Sequence, residues 1–232
     1  MKIAVYTSLF GSKSDLESVD TSQYEGVDFY AFVDKENETT QGWRQIVGPK
    51  FSFDPIYPDR RNAKPYKMLP HLFMPDYDYY IWMDAVHKLL KHPKDIIENY
   101  LADDFDLGLF DHPSDRCCAY LEGQQVINYG IDNPKYIADQ LQSYTDQGLP
   151  HKYCLYEMAC FVRKNNPATQ KFGFMWWEQV CRFSSRDQIA LPYVLWRMEE
   201  EISISILPGY LQIPDGNEFF LFGKQPEFIK KY

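Results

Sequence analysis

Short apolar runs alternate with amphipathic stretches along most of the chain. Residues 2–10 are apolar, β-branched or aromatic and close in Gly11-Ser12, which predicts a buried first strand with a turn at its carboxyl end. Residues 28–33, ending at Asp34, predict a second strand, and residues 43–47, closed by Gly48-Pro49, a third. Residues 59–74 have a helical tendency with Pro65 near the start and Pro70 inside, so a kink or break is expected there. Residues 77–83 form the most continuous run and predict a central strand ending at Asp84; residues 107–110 predict another, ending at Asp111-His112. Residues 93–102, 116–129 and 134–147 read as helices, the last stopped by Gly148-Leu149-Pro150. A strand over 153–163, helices over 168–183 and 186–200, and late strands over 203–207 and 219–222 complete the pattern. The tail at 229–232 is basic and is expected to be loose. Strands alternating with helices predict the α/β class, with a mostly parallel central sheet flanked by helices. No repeat or linker divides the chain. We expect one domain over residues 1–232, with its core in 3–207 and C-terminal strands and tail in 208–232.

Composition narrows the function classes. The net charge of −9 argues against a general nucleic-acid or anionic-membrane binder, because both partners need a basic footprint. The aromatic fraction, 17%, suits sugar and nucleobase faces and equally suits a Tyr-rich core. Five cysteines, at 117, 118, 154, 160 and 181, lack CxxC spacing and read as reduced packing residues of a cytosolic protein. No apolar stretch reaches membrane length, so the expectation is a soluble, cytoplasmic chain without a transmembrane segment.

In an open α/β sheet, ligands sit beyond the carboxyl ends of the strands. Here Gly11-Ser12, Asp34, Asp84 and Asp111-His112 fall at those ends, either as turn and cap formers or as members of one crevice. Asp84 follows the apolar Ile81-Trp82-Met83 and suits a magnesium or manganese ion that phosphates and water complete. Its alternative is a capping role, and His87 reads as a second ligand or a surface histidine. The segment 60–67 holds four of the 24 basic residues in eight positions, where even spacing would give about one. As a helix it places residues 60, 64 and 67 on one face, suited to a pyrophosphate or simply to solvent. Ser184 with Asp187, or Ser185 with Gln188, fits a capping box before an apolar helix. The pair Trp176-Trp177 beside Glu178 fits a sugar site or the core. Glu122 and Glu157 each sit among apolar neighbours, so each is expected to be paired or catalytic. No P-loop, GxGxxG, HExxH or Ser-His-Asp spacing occurs.

The ordered segments YTSLFG, YAFVD, the R-x-x-K-x-x-K of Arg61, Lys64 and Lys67, YDYYIWMDA, RCCAYLEG, DQGLP, LYEMACFVR, WWEQV and SSRDQIALPYV span roughly residues 3–195. Together they resemble the glycosyltransferase-like family of the plant turgor-regulation-defect and mucilage-related proteins and their bacterial and viral relatives. The resemblance implies a GT-A-type nucleotide-diphospho-sugar transferase fold. It places Thr7, Ser8, Phe10 and Asp34 beside the nucleotide and Arg61, Lys64 and Lys67 on its phosphates. Asp84 takes the metal position, and Arg186, Asp187 and Gln188 lie beside the transferred sugar. The metal motif of that fold is commonly Asp-x-Asp, whereas Asp84-Ala85-Val86-His87 has a single acid. The expected activity is transfer of a glycosyl group from a nucleotide diphosphate sugar to a glycan or other acceptor hydroxyl, in glycan or polysaccharide synthesis. A divalent cation, manganese or magnesium, is the expected cofactor. Asp187 is the first candidate for the general base and Glu157 the second. The alternatives are a catalytically silent carbohydrate- or nucleotide-binding module and a sugar-nucleotide hydrolase or nucleotidyltransferase on a similar sheet.

Overall fold

The computed structural model describes residues 1–11, 16–52, 54, 56–102, 104–113, 116–213 and 216–222. Ser12 and the tail at 229–232 lie outside them. The chain runs β1 (Ile3–Leu9), β2 (Val27–Val33), β3 (Arg44–Val47), α1 (Pro58–Met68), α2 (Pro70–Phe73), β4 (Tyr79–Met83) and β5 (His87–Leu89). It continues through α3 (Pro93–Tyr100), β6 (Leu107–Asp111), α4 (Ala119–Asn128), α5 (Pro134–Asp146) and β7 (Tyr156–Lys164). The last elements are α6 (Pro167–Arg182), α7 (Asp187–Arg197), β8 (Ile204–Leu207) and β9 (Phe220–Phe222).

Seven strands form the central sheet in the order β3-β2-β1-β4-β7-β6-β8. Only β7 runs against the others, pairing antiparallel with both β4 and β6, while the remaining pairs are parallel. The expected α/β architecture, a mostly parallel sheet flanked by helices, is what the chain adopts. Side chains alternate across the sheet. Ala4 and Tyr6 of β1 pack with residues of α1, α4, α5, α6 and α7. Ile3 and Val5 face the other way, onto Ile96 and Ile97 of α3 and Phe219.

The break expected at residue 70 is present. Leu69 lies between α1 and α2 with φ −122° and ψ 44°, outside the helical region that a following proline disfavours. Pro65 is carried inside α1, and the helix resumes past it with Leu69 N–H donating to the Pro65 carbonyl at 2.8 Å. The last carbonyls of α1 are taken up by the sheet: the Tyr6 hydroxyl donates to Lys67 O at 2.8 Å and Arg163 Nη1 to Met68 O at 2.8 Å. These bonds satisfy a helix terminus and fix α1 over β1 and β7. A second constraint comes from Gly173 of α6, where an added Cβ would lie 2.2 Å from the Met68 carbonyl oxygen. Glycine permits that close approach of α6 to the end of α1.

Two local features depart from the sequence pattern. Strand β5 has no pattern of its own: it is short, carries an exposed Lys88 between buried residues, and among the described residues pairs with β9 in a separate ribbon. The capping box over 184–188 does not form. Arg186 occupies the N-cap of α7 without a side-chain cap bond, and Ser184 Oγ instead accepts from Arg186 N–H at 3.2 Å. Ser185 Oγ donates to Asp132 at 2.6 Å. The carboxylate of Asp187, first residue of α7, is drawn to lysines on α1 instead.

Candidate active site

A cleft of about 280 Å³ opens beyond the carboxyl ends of β1 and β4. Ser8 and Leu9 line it from β1, Arg60, Lys64 and Lys67 from α1, and Trp82 and Asp84 from the end of β4. The three cations are those that helical spacing places on one face. Asp187 reaches the same lysines from α7, with Oδ1 at 2.9 Å from Lys64 Nζ and Oδ2 at 2.7 Å from Lys67 Nζ. Residues more than a hundred positions apart in sequence are thus joined in one ionic cluster.

Each member is held differently. Lys67 is buried; its ammonium also donates to Met158 O at 2.6 Å and lies 4.0 Å from Asp84 Oδ1. The Trp82 ring, 5.0 Å away, gives it a cation–π face. Lys64 is slightly more open and, among the described residues, pairs with Asp187, which leaves further N–H donors for the cleft. Burial pushes the Lys64 ammonium down to about 8, an effect that the Asp187 carboxylate partly offsets. Burial alone would raise the Asp187 carboxyl, but Lys64 and Lys67 outweigh it and hold the group well below the usual carboxylate range. Asp84 is partly exposed; its Oδ1 accepts from the Trp82 indole N–H at 2.8 Å. Arg60 is anchored by one nitrogen, Nη1, which donates to Ile131 O at 3.0 Å and lies 3.8 Å from Asp132.

A second hollow of about 710 Å³ adjoins the first and shares Leu9 with it. Asp34 lines it, accepting from Gly11 N–H at 3.0 Å with Lys50 at 3.8 Å. The two hollows follow the carboxyl ends of β2, β1 and β4.

The remaining sequence candidates fall elsewhere. Thr7 is buried in the sheet, and Phe10 is buried and stacked on Tyr66 with ring centroids 5.4 Å apart. Neither lines the two hollows, whereas Ser8 lines the lysine cleft and donates to Ala63 O at 2.9 Å. Arg61 does not face the cleft with Lys64 and Lys67. Its side chain leaves the opposite side of α1, pairs with Asp54 at 2.8 Å, and donates to the carbonyls of Val180 and Phe183. One residue is a turn of about 100° on a helix, so Arg60 takes the place expected for Arg61. Glu157 is buried and accepts from the backbone N–H groups of Leu211 and Gln212, the second at 3.2 Å; it is absent from the cleft wall. Burial pushes its carboxyl up to about 7. Gln188 donates to Tyr156 O at 3.1 Å, and Arg186 lies 4.0 Å from Glu122, itself bound by Arg116 at 2.6 Å. His87 is buried and lines a separate hollow with Glu17 and Trp43. Asp111 is separated from Asp84 by the intervening β7. Trp176 is core, donating to Asp187 O at 2.9 Å, while Trp177 lines a different cavity beside Arg61.

The residues around Asp84 do not fit a protein-held divalent cation. Among the described residues no group of three or more His, Cys, Asp or Glu side chains could hold a metal. Asp187 has both oxygens on ammonium groups, and Lys67 stands 4.0 Å from the one remaining acid. No helix among the described residues is long and apolar enough to cross a membrane.

A mostly parallel sheet whose carboxyl edge opens onto a lysine-lined cleft defines an α/β protein with a cleft where open sheets of this class take their ligands. The chain belongs to the TOD1/MUCI70 glycosyltransferase-like domain family, which it matches over residues 1–209. It is also similar to the probable hexosyltransferase MUCI70 of Arabidopsis thaliana, at 27% identity over 83% of this chain and 37% of that protein. The chain therefore spans well under half the length of that relative.

Proposed function

We propose that this chain transfers a hexosyl group from a nucleoside diphosphate sugar to an acceptor hydroxyl on a glycan. The observation that carries the reading is the meeting of Lys64, Lys67, Asp187 and Asp84 around one cleft at the carboxyl edge of the sheet. Membership of a glycosyltransferase-like family and similarity to a probable hexosyltransferase point the same way. The base of the donor fits the hollow beside Asp34, and its diphosphate fits the neighbouring cations across Leu9.

Transfer breaks the bond from the anomeric carbon to the β-phosphate oxygen, and the electron pair leaves on the diphosphate. Fixed ammonium and guanidinium groups stabilise that growing charge without reorganising. Asp187 serves as a positioning residue: a carboxylate with both oxygens on lysines is a weak proton acceptor. Glu157, bound to backbone amides away from the cleft, is no better placed. Asp84 is partly exposed in the cleft with one oxygen outside the Trp82 bond, and it is the carboxylate available to take the acceptor's proton.

The test is release of nucleoside diphosphate from UDP-, GDP- and ADP-hexoses, with and without oligosaccharide acceptors. Donor breakdown by the wild type, and its loss in Asp84→Asn with donor affinity retained, is the expected result. Failure of the wild type to bind any nucleoside diphosphate would overturn the proposal.

A further inference from the structure

We infer that the cleft binds the donor's diphosphate directly through Arg60, Lys64 and Lys67, without a divalent cation. The inference rests on the nucleoside-diphosphate reading above and names the residues that carry it.

Three observations support it. First, the place where a cation would sit offers one carboxylate, Asp84, whose Oδ1 already accepts from Trp82 and lies 4.0 Å from the Lys67 ammonium. An ammonium so near repels a second positive charge and takes up the role that the charge would fill. Second, the cleft wall itself carries three cations, Arg60, Lys64 and Lys67, and one carboxylate, Asp84, while the other acids paired with those cations, Asp132 and Asp187, are buried outside the wall. This happens in a chain of net charge −9. Third, Arg60 is poised for the task. Its Nη1 is engaged with Ile131 and Ser185, and its guanidinium lies on the Tyr57 ring at 4.6 Å. Among the described residues its guanidinium hydrogen bonds are made by Nη1, and a guanidinium with Nε and Nη2 left for a ligand can meet phosphate with two donors.

Isothermal titration of the chain with UDP, GDP and ADP, in excess EDTA and then in excess manganese chloride, tests the inference. The nucleotide that binds is expected to do so in EDTA, with affinity within about tenfold, or 1.4 kcal/mol, of that in manganese. Arg60→Ala is expected to weaken metal-free binding by about tenfold or more while Arg60→Lys recovers part of it. Melting curves of each variant verify that the fold is kept. A loss of more than about tenfold on removing manganese, or its abolition by Asp84→Asn in manganese, would overturn the inference and leave the transferase reading standing. Absence of binding under both conditions would overturn both.

Discussion

Asp187 lies between Lys64 and Lys67, and the three side chains share one fate. Removing the carboxylate in Asp187→Asn takes the nearer ionic partner from two buried ammonium groups, and burial of Lys64 is then opposed by the more distant Asp84. In the wild type, diphosphate affinity is expected to hold below about pH 8 and to fall as Lys64 loses its proton above it. In Asp187→Asn the fall moves to lower pH, which titration of nucleotide affinity against pH will show; an unchanged profile would contradict the clamp. Arg61 supplies the control. It is buried with Asp54 and two carbonyls, so Arg61→Ala is expected to cost about 3–5 kcal/mol of stability and to leave nucleotide affinity unchanged. Denaturant unfolding alongside nucleotide titration separates the two effects. Glu157 gives a third test. Its carboxyl is raised from 4.5 to about 7 in the fold, so the folded chain binds more protons than the unfolded one between those values. Its contribution to stability is full below pH 4.5 and is lost as pH rises through 7. Wild type is therefore expected to lose stability relative to Glu157→Gln over that window, in melting curves at matched pH; parallel curves would contradict the assignment.

At the level of elements, α1 decides the site because it carries all three cleft cations and is tied to the sheet at its carboxyl end. Its position also depends on Gly173, where a methyl group would meet Met68 O. Gly173→Ala is expected to cost about 1–3 kcal/mol and to weaken nucleotide binding, because α1 must shift to admit it. A melting point and affinity equal to wild type would show that the contact can yield. Much of this was legible beforehand. The break before Pro70 followed from the restriction on the preceding residue, and the common face of Arg60, Lys64 and Lys67 followed from helical period. The motif resemblance chose Arg61, one position along, and thereby chose the side of α1 that binds Asp54. The serines at 184 and 185 have capping spacing, but Ser185 binds Asp132, 53 residues earlier, a contact invisible to a local pattern. Likewise β5 owes its existence to β9, more than a hundred residues later, rather than to its own three residues. Glu122 could be read as paired or catalytic, and only the approach of Arg116 decides for pairing.

Across the whole molecule, an acidic chain concentrates cations at one edge of its sheet, between an Asp34-lined hollow and the acid at the end of β4. A local positive field of this kind favours anionic small ligands without making a whole acidic surface attractive to nucleic acid. Because the two hollows share Leu9, the proposed donor can span them, with its base at β2 and its diphosphate at α1. The most direct test is a crystal structure of the chain with a bound nucleoside diphosphate. The account predicts the β-phosphate within hydrogen-bond reach of Lys64 and Arg60 and the nucleoside beside Asp34. A diphosphate seated elsewhere, with Lys64 and Arg60 untouched, would contradict it.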